Sequence, residues 1–137
     1  MAETIRRVDY FYATVEDKLG EGYRLLERLK ERGVNLLAFT AFPAGEGQAQ
    51  LDFFPESAEQ MLKAAAEEGI TLIGPKKAFL IQGEDRAGAL VEHHQTLFSA
   101  GINIHAANAV SDGRGGFGCV LWVKPEDYEN AAKALGV

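Results

Sequence analysis

A chain of 137 residues, 47% hydrophobic and 25% charged, can bury a real core, yet it spans no more than one ordinary domain or two very small ones. The net charge of -6 argues against nucleic acid as a partner, because such binding rests on clustered Lys and Arg, and Arg6-Arg7 and Lys76-Lys77 are short pairs. No window reaches the roughly 18 uninterrupted apolar residues of a membrane span, residues 1–9 lack the apolar core of a secretory signal, and Cys119 is the sole cysteine, so a soluble cytoplasmic protein without disulfides or a thiolate zinc site is expected.

Residues 8–15 alternate Phe11, Ala13 and Val15 against Tyr10, Tyr12 and Thr14, the period of a strand. Asp17 is placed to cap a helix running to about residue 32, with Tyr23, Leu26 and Leu29 as its inward stripe and Gly33 as its stop. Residues 34–42 and 48–54 read as a hairpin around residues 43–47, followed by a helix over 58–68 and a strand over 70–73. The second half repeats the plan with a strand over 78–82, a helix over 88–100, strands near 102–110 and 117–123, and a helix from 126. Its last strand is absent. The edge at 78–82 must then be covered by residues 4–7, by residues 70–73 or by a second molecule, and the sequence leaves the choice open. The expected fold is α+β: two ferredoxin-like βαββαβ units, residues 1–74 and 75–137, each an antiparallel sheet with helices on one face.

Laying the chain over itself supports the doubling. At a shift of 68 residues Asp17-Lys18-Leu19-Gly20 falls on Asp85-Arg86-Ala87-Gly88, and Gly33-Val34-Asn35-Leu36 falls on Gly101-Ile102-Asn103-Ile104. Past the glycine-rich stretch near 113–118, a two-residue insertion is expected to change the shift to 70, which aligns Leu51, Pro55 and Glu56 with Leu121, Pro125 and Glu126.

On the two Asp-x-x-Gly corners, each followed fifteen residues after its glycine by the Asn of a Gly-Val/Ile-Asn-Leu/Ile run, the chain resembles the ACT family over about 130 residues. The resemblance implies a regulatory or sensor protein that binds an amino acid or similar small effector where the loop after the first strand faces a neighbouring unit. It also implies edge-to-edge or helix-mediated pairing into a homodimer, and a regulated enzyme as partner. The implied ligand residues are Asp17, Lys18, Leu19, Gly20 and Asn35 in one copy and Asp85, Arg86, Ala87, Gly88 and Asn103 in the other. Gly20 and Gly88 let the backbone approach a zwitterion, helix-start N–H groups suit its carboxylate, and the acidic side chain suits its ammonium. The second copy is favoured, since Arg86 adds a guanidinium capable of bidentate pairing where Lys18 is a point charge. Leu19 and Ala87 stand where the family loop commonly has proline, and Val15 and Gly83 where some amino-acid-binding members have a polar residue. Read without the resemblance, both aspartates serve only as helix caps and both asparagines satisfy turn backbone.

Other features point to packing. His93, His94 and His105 lack metal-ligand spacing, and no cofactor is expected. The shift sets His94 on Leu26, a half-buried packing position. Gly113-Arg114-Gly115-Gly116-Phe117-Gly118 satisfies G-x-G-x-x-G but joins two strands, so it reads as a hairpin tip. Cys119, Trp122, Phe53 and Phe54 read as core or interface. Two alternatives to the sensor stand: an assembly module with empty clefts, and a small ferredoxin-like oxygenase or isomerase using His94 or His105, for which no nucleophile–base–orienter set is legible.

Overall fold

The computed structural model describes residues 3–137; residues 1 and 2, which open the expected first unit, lie outside the described residues. The fold is α+β. Its elements run β1 Thr4–Glu16, α1 Glu21–Glu31, β2 Leu36–Gly45, β3 Gln48–Pro55, α2 Ala58–Glu68, β4 Ile73–Glu84, α3 Val91–Ser99, β5 Ala106–Ser111, β6 Gly116–Trp122 and α4 Tyr128–Leu135, with a 3-10 turn at Pro125–Asp127. Two compact units emerge: residues 9–76, and residues 77–137 together with residues 3–8.

In the unit 9–76 the strand order is β2-β3-β1-β4, where β4 contributes its first residues. Antiparallel pairing sets Phe11 opposite Phe53 and Phe39 opposite that same Phe53. Strand alternation points Phe11, Ala13, Leu51 and Phe53 to one face, where Leu25, Leu29, Met61 and Ala64 of α1 and α2 cover them. Helix α2 occupies the expected span because Ser57 Oγ accepts the Gln60 N–H at its start and Gly69 ends it in the left-handed region. The expected stripe of α1 needs correction. Leu25 and Leu29, spaced i,i+4, form the buried face with Leu26 at its margin. Tyr23 lies about 200° around the helix from Leu25 and points outward, donating to Glu27 Oε2.

In the other unit the order is β1-β4-β6-β5. The core holds Phe79, Ile81, Leu97, Cys119, Leu121 and Tyr128, with the Phe79 and Tyr128 rings stacked at 4.6 Å. Residues 4–8 lie beside β4: Thr4 Oγ1 donates to the Gln82 carbonyl, and Arg6 donates to Gln82 Oε1. Arg7 reaches α4, donating to both carboxylate oxygens of Glu129 and to the Val137 carbonyl.

Several expected boundaries differ, among them the strand near 102–110, which runs Ala106–Ser111, and the helix from 126, which begins at Tyr128 after the 3-10 turn. Residues 70–73 and 78–82 are not two strands; one strand runs from Ile73 to Glu84, and Ile70 and Leu72 instead pack on the core of the unit 9–76. Gly-Pro in sequence reads as a break, but Gly74 at φ +138 carries the strand through. Helix α3 begins at Val91 rather than at residue 88, because the N–H groups of Ala89 and Val91 are taken by the Arg86 and Gly88 carbonyls in successive turns. The shift also does not change to 70. Phe11 pairs with Phe53 as Phe79 pairs with Leu121, and Phe42 with Gln50 as Val110 with Gly118, each pair related by 68 residues. The left-handed glycines Gly20, Gly33, Gly45 and Gly47 recur 68 residues on at Gly88, Gly101, Gly113 and Gly115. The glycine-rich tip is thus a counterpart of the first hairpin without an insertion.

A Cβ at Gly74 would lie 2.8 Å from the Tyr10 carbonyl oxygen and 2.9 Å from Phe11 Cδ1. Gly74→Ala should therefore cost about 2–4 kcal/mol in urea unfolding. Gly69→Ala, with open space around its Cβ, should cost about 1–2 kcal/mol from backbone strain alone. Equal losses at the two positions would mean that the close passage by Tyr10 is not a constraint.

Candidate functional site

The two acid–glycine corners are held by one repeated contact. The Asp17 N–H donates to the Gly47 carbonyl and the Asp85 N–H to the Gly115 carbonyl, each at 2.8 Å, so each corner is fastened to the tip of its own unit's hairpin. The second tip is itself braced by Asp112, whose Oδ1 accepts the N–H groups of Arg114 at 2.6 Å and Gly116 at 3.0 Å. Those two bonds hold the Asp112 carboxyl below its ordinary pKa. The apparent dinucleotide motif is therefore a braced hairpin tip. Asp112 escaped the sequence reading, although an Asp immediately before a glycine-rich run is an Asx-turn signal.

Neither aspartate caps a helix. The N-cap positions of α1 and α3 are Gly20 and Leu90, neither with a side-chain cap bond. Asp17 and Asp85 sit in the turns ahead of the helices, too far back along the chain for the first-turn amides. The capping role expected of Asp17 is thus corrected.

The two corners differ in what surrounds them. In the unit 9–76, Lys18 Nζ lies 2.8 Å from Glu16 and 3.7 Å from Glu21, and the Glu16 hydrogen bond chiefly raises its pKa. The Arg24 guanidinium stands over Gly20, where a Cβ would meet it at 3.2 Å. Leu19 is 97% exposed. Asn35 Nδ2 donates to Glu56 Oε2 at 3.1 Å, and its carbonyl accepts the Glu56 N–H. This corner is occupied by the protein's own charges.

In the other unit, Asp85, Arg86 and Gly88 line an open cleft of about 330 Å³ together with Ala89, Leu90, Phe117 and the β5 residues Ala109, Val110 and Ser111. Ala87 and Asn103 are not among the lining residues; both are exposed. The Arg86 guanidinium is 3.5 Å from Glu92, an exposed pair that costs little to exchange for a ligand anion. The cleft offers a carboxylate, a guanidinium, an apolar wall and a strand edge within a volume suited to a small molecule. Strand β5 is the edge of its sheet, so alternate N–H and C=O groups there face away from β6.

The histidines form no catalytic set with these residues among those described. His94 Nδ1 is 2.7 Å from the Leu90 carbonyl, and His105 is exposed. No group of three or more His, Cys, Asp or Glu side chains gathers to hold a metal, and no helix is long and apolar enough to cross a membrane, among the described residues.

Replacing either aspartate tests the cap assignment. Asp17→Ala and Asp85→Ala should each change unfolding free energy by less than about 0.5 kcal/mol, whereas Ser57→Ala, at a true cap, should lose about 1 kcal/mol. Losses at the aspartates matching Ser57 would restore the capping role.

No family model matches the chain, and no curated protein does. Solved structures share its fold. A protein of Bacteroides thetaiotaomicron superposes with a TM-score of 0.78 at 16% identity, over 97% of this chain and 91% of that one. The ligand-free regulatory subunit of aspartate kinase from Thermus thermophilus gives 0.66 at 19% identity, over 98% and 94%. A structure of aspartokinase alpha and beta subunits gives 0.65 at 16% identity, over 100% and 99%. At these identities the likeness is one of fold.

Proposed function

We propose that this chain is an ACT-like regulatory or sensor protein that binds an amino acid or similar small acid at the Asp85 corner. In this reading it is a doubled ferredoxin-like βαββαβ unit, divided in sequence at 74/75, with residues 4–8 serving as the strand beside β4 in the second unit. The observation that carries the reading is the cleft on Asp85, Arg86 and Gly88, three of the five residues that the family resemblance nominates in that copy, with Phe117 and Leu90 as its apolar wall. The Arg86 guanidinium takes the ligand carboxylate, Asp85 its ammonium, and Leu90 and Val110 its side chain. The first corner, filled by Lys18, Glu21 and Arg24, serves as structure.

The cleft is open, and we assign its closure to an adjoining unit of a second copy, giving a homodimer in the cytoplasm. Asn103 would reach the ligand from that neighbour. The likeness in fold to a regulatory subunit of aspartate kinase supports a non-catalytic role toward a separate enzyme. Regulation follows when the ligand prefers one of two states of the assembly.

One observation favours a second reading, an assembly module without ligand. Every residue of β5 is exposed, and Val91, Phe98 and Val110 are 61%, 81% and 71% exposed. Such a surface invites pairing whether or not the cleft is filled.

Thermal unfolding against the proteinogenic amino acids separates the two. A ligand at a hundred times its dissociation constant should add about 2.7 kcal/mol, a shift of several degrees. The rise should disappear in Asp85→Ala and Arg86→Ala and shrink in Asn103→Ala. A flat panel together with concentration-dependent self-association would instead establish the assembly role.

A further inference from the structure

At the 68-residue relation His93 stands where Leu25 stands in the other copy, a core position on the first helix. Leu25 is 7% exposed and His93 2%. An imidazole in a leucine's place must find partners or remain unsatisfied. Among the described residues neither ring nitrogen has a hydrogen-bond partner, and Glu3 Oε2 is likewise buried and unpartnered. The two side chains face each other, with His93 Nδ1 3.7 Å from Glu3 Oε1, longer than a hydrogen bond. Glu3 leads directly into the β1 residues that flank β4. Its backbone passes so near Gly83 that a Cβ there would meet Glu3 Cα at 3.2 Å.

We propose that His93 and Glu3 form a proton-operated latch, which keeps residues 3–8 docked on β4 while His93 is neutral and releases them when His93 takes up a proton. The proposal is independent of the ligand reading.

The direction follows from which force is larger. Burial disfavours the imidazolium and is the main influence on His93; Glu3 opposes it, His94 adds to it, and Glu92 opposes it weakly. On β6, Cys119 feels the same Glu3, and its thiol is pushed up mainly by burial. Glu84, Arg86 and Glu92 line a cavity of about 220 Å³ with Glu3. On α4, Glu129 is engaged with Arg7. The net effect sets the docked His93 below its ordinary pKa of 6.5. Release exposes the ring to water and restores that value, so the released state binds the proton more readily. Docking is then complete above 6.5 and weakens as pH falls from there through the docked value.

Amide hydrogen exchange, expressed as protection factors to remove the intrinsic pH dependence, reads the latch between about pH 7.5 and about pH 5. Protection of residues 4–8 should fall by up to about tenfold per pH unit below 6.5, while β3 keeps its protection. His93→Leu, which copies Leu25, and His93→Gln, which stays polar but cannot titrate, should both make protection of residues 4–8 independent of pH. Glu3→Gln should steepen the acid loss, because it removes the charge that favours imidazolium. Gly83→Ala should loosen the segment equally at all pH values. The latch is overturned if either His93 variant keeps the acid response of the parent, or if the His93 ring titrates at 6.5 in the folded protein.

Discussion

A backbone hydrogen bond from an aspartate N–H to a hairpin-tip glycine carbonyl, made once in each half of the chain, fixes the two acid–glycine loops. At 2.8 Å in both places it joins the end of a first strand to the turn of a neighbouring hairpin. The bond consumes the aspartate's amide and leaves its carboxylate uncommitted. The left-handed glycines at Gly47 and Gly115 exist to present those carbonyls. In the second half, Asp112 stiffens the tip further by accepting two amides from it. A loop held this way keeps its shape without a proline ahead of its glycine, where Leu19 and Ala87 stand.

The same frame carries two different surfaces. Around Gly20, Lys18, Glu16, Glu21 and Arg24 neutralise one another, and Glu56 occupies Asn35. Around Gly88 the counterpart of Arg24 is Glu92, which reaches Arg86 only at 3.5 Å, and the counterpart of Glu56 is Lys124. These exchanges leave Asn103 without the carboxylate that engages Asn35 and leave Arg86 beside an open cleft. Differences at a few charged positions, on corners fastened by the same backbone bond, account for one corner being filled and the other not.

Local signals were legible where a residue acts alone on the backbone. The helix expected over 58–68 forms over that span, with Ser57 and Gly69 bounding it in the structure. Long-range signals were not. Gly74-Pro75 reads locally as a break, yet the strand passes through because Tyr10, more than sixty residues away, leaves room only for a glycine. Leu51, Pro55 and Glu56 match Leu121, Pro125 and Glu126 by identity at a shift of 70, whereas pairing register keeps 68 through both hairpins. Asp85, Arg86 and Gly88, which the family resemblance nominates, line the cleft; its apolar wall of Leu90, Val110 and Phe117 depends on tertiary packing that no local pattern carries. The same shift sets His93 on the core residue Leu25, a signal legible in the sequence.

Amide shifts of the uniformly labelled protein, followed by NMR during titration with free amino acids, address the central claim residue by residue. The account predicts saturable changes concentrated at residues 85–90 and 109–117 for at least one amino acid, with residues 17–21 unmoved. Saturable changes centred on the Gly20 corner, or no changes with any amino acid, would contradict it.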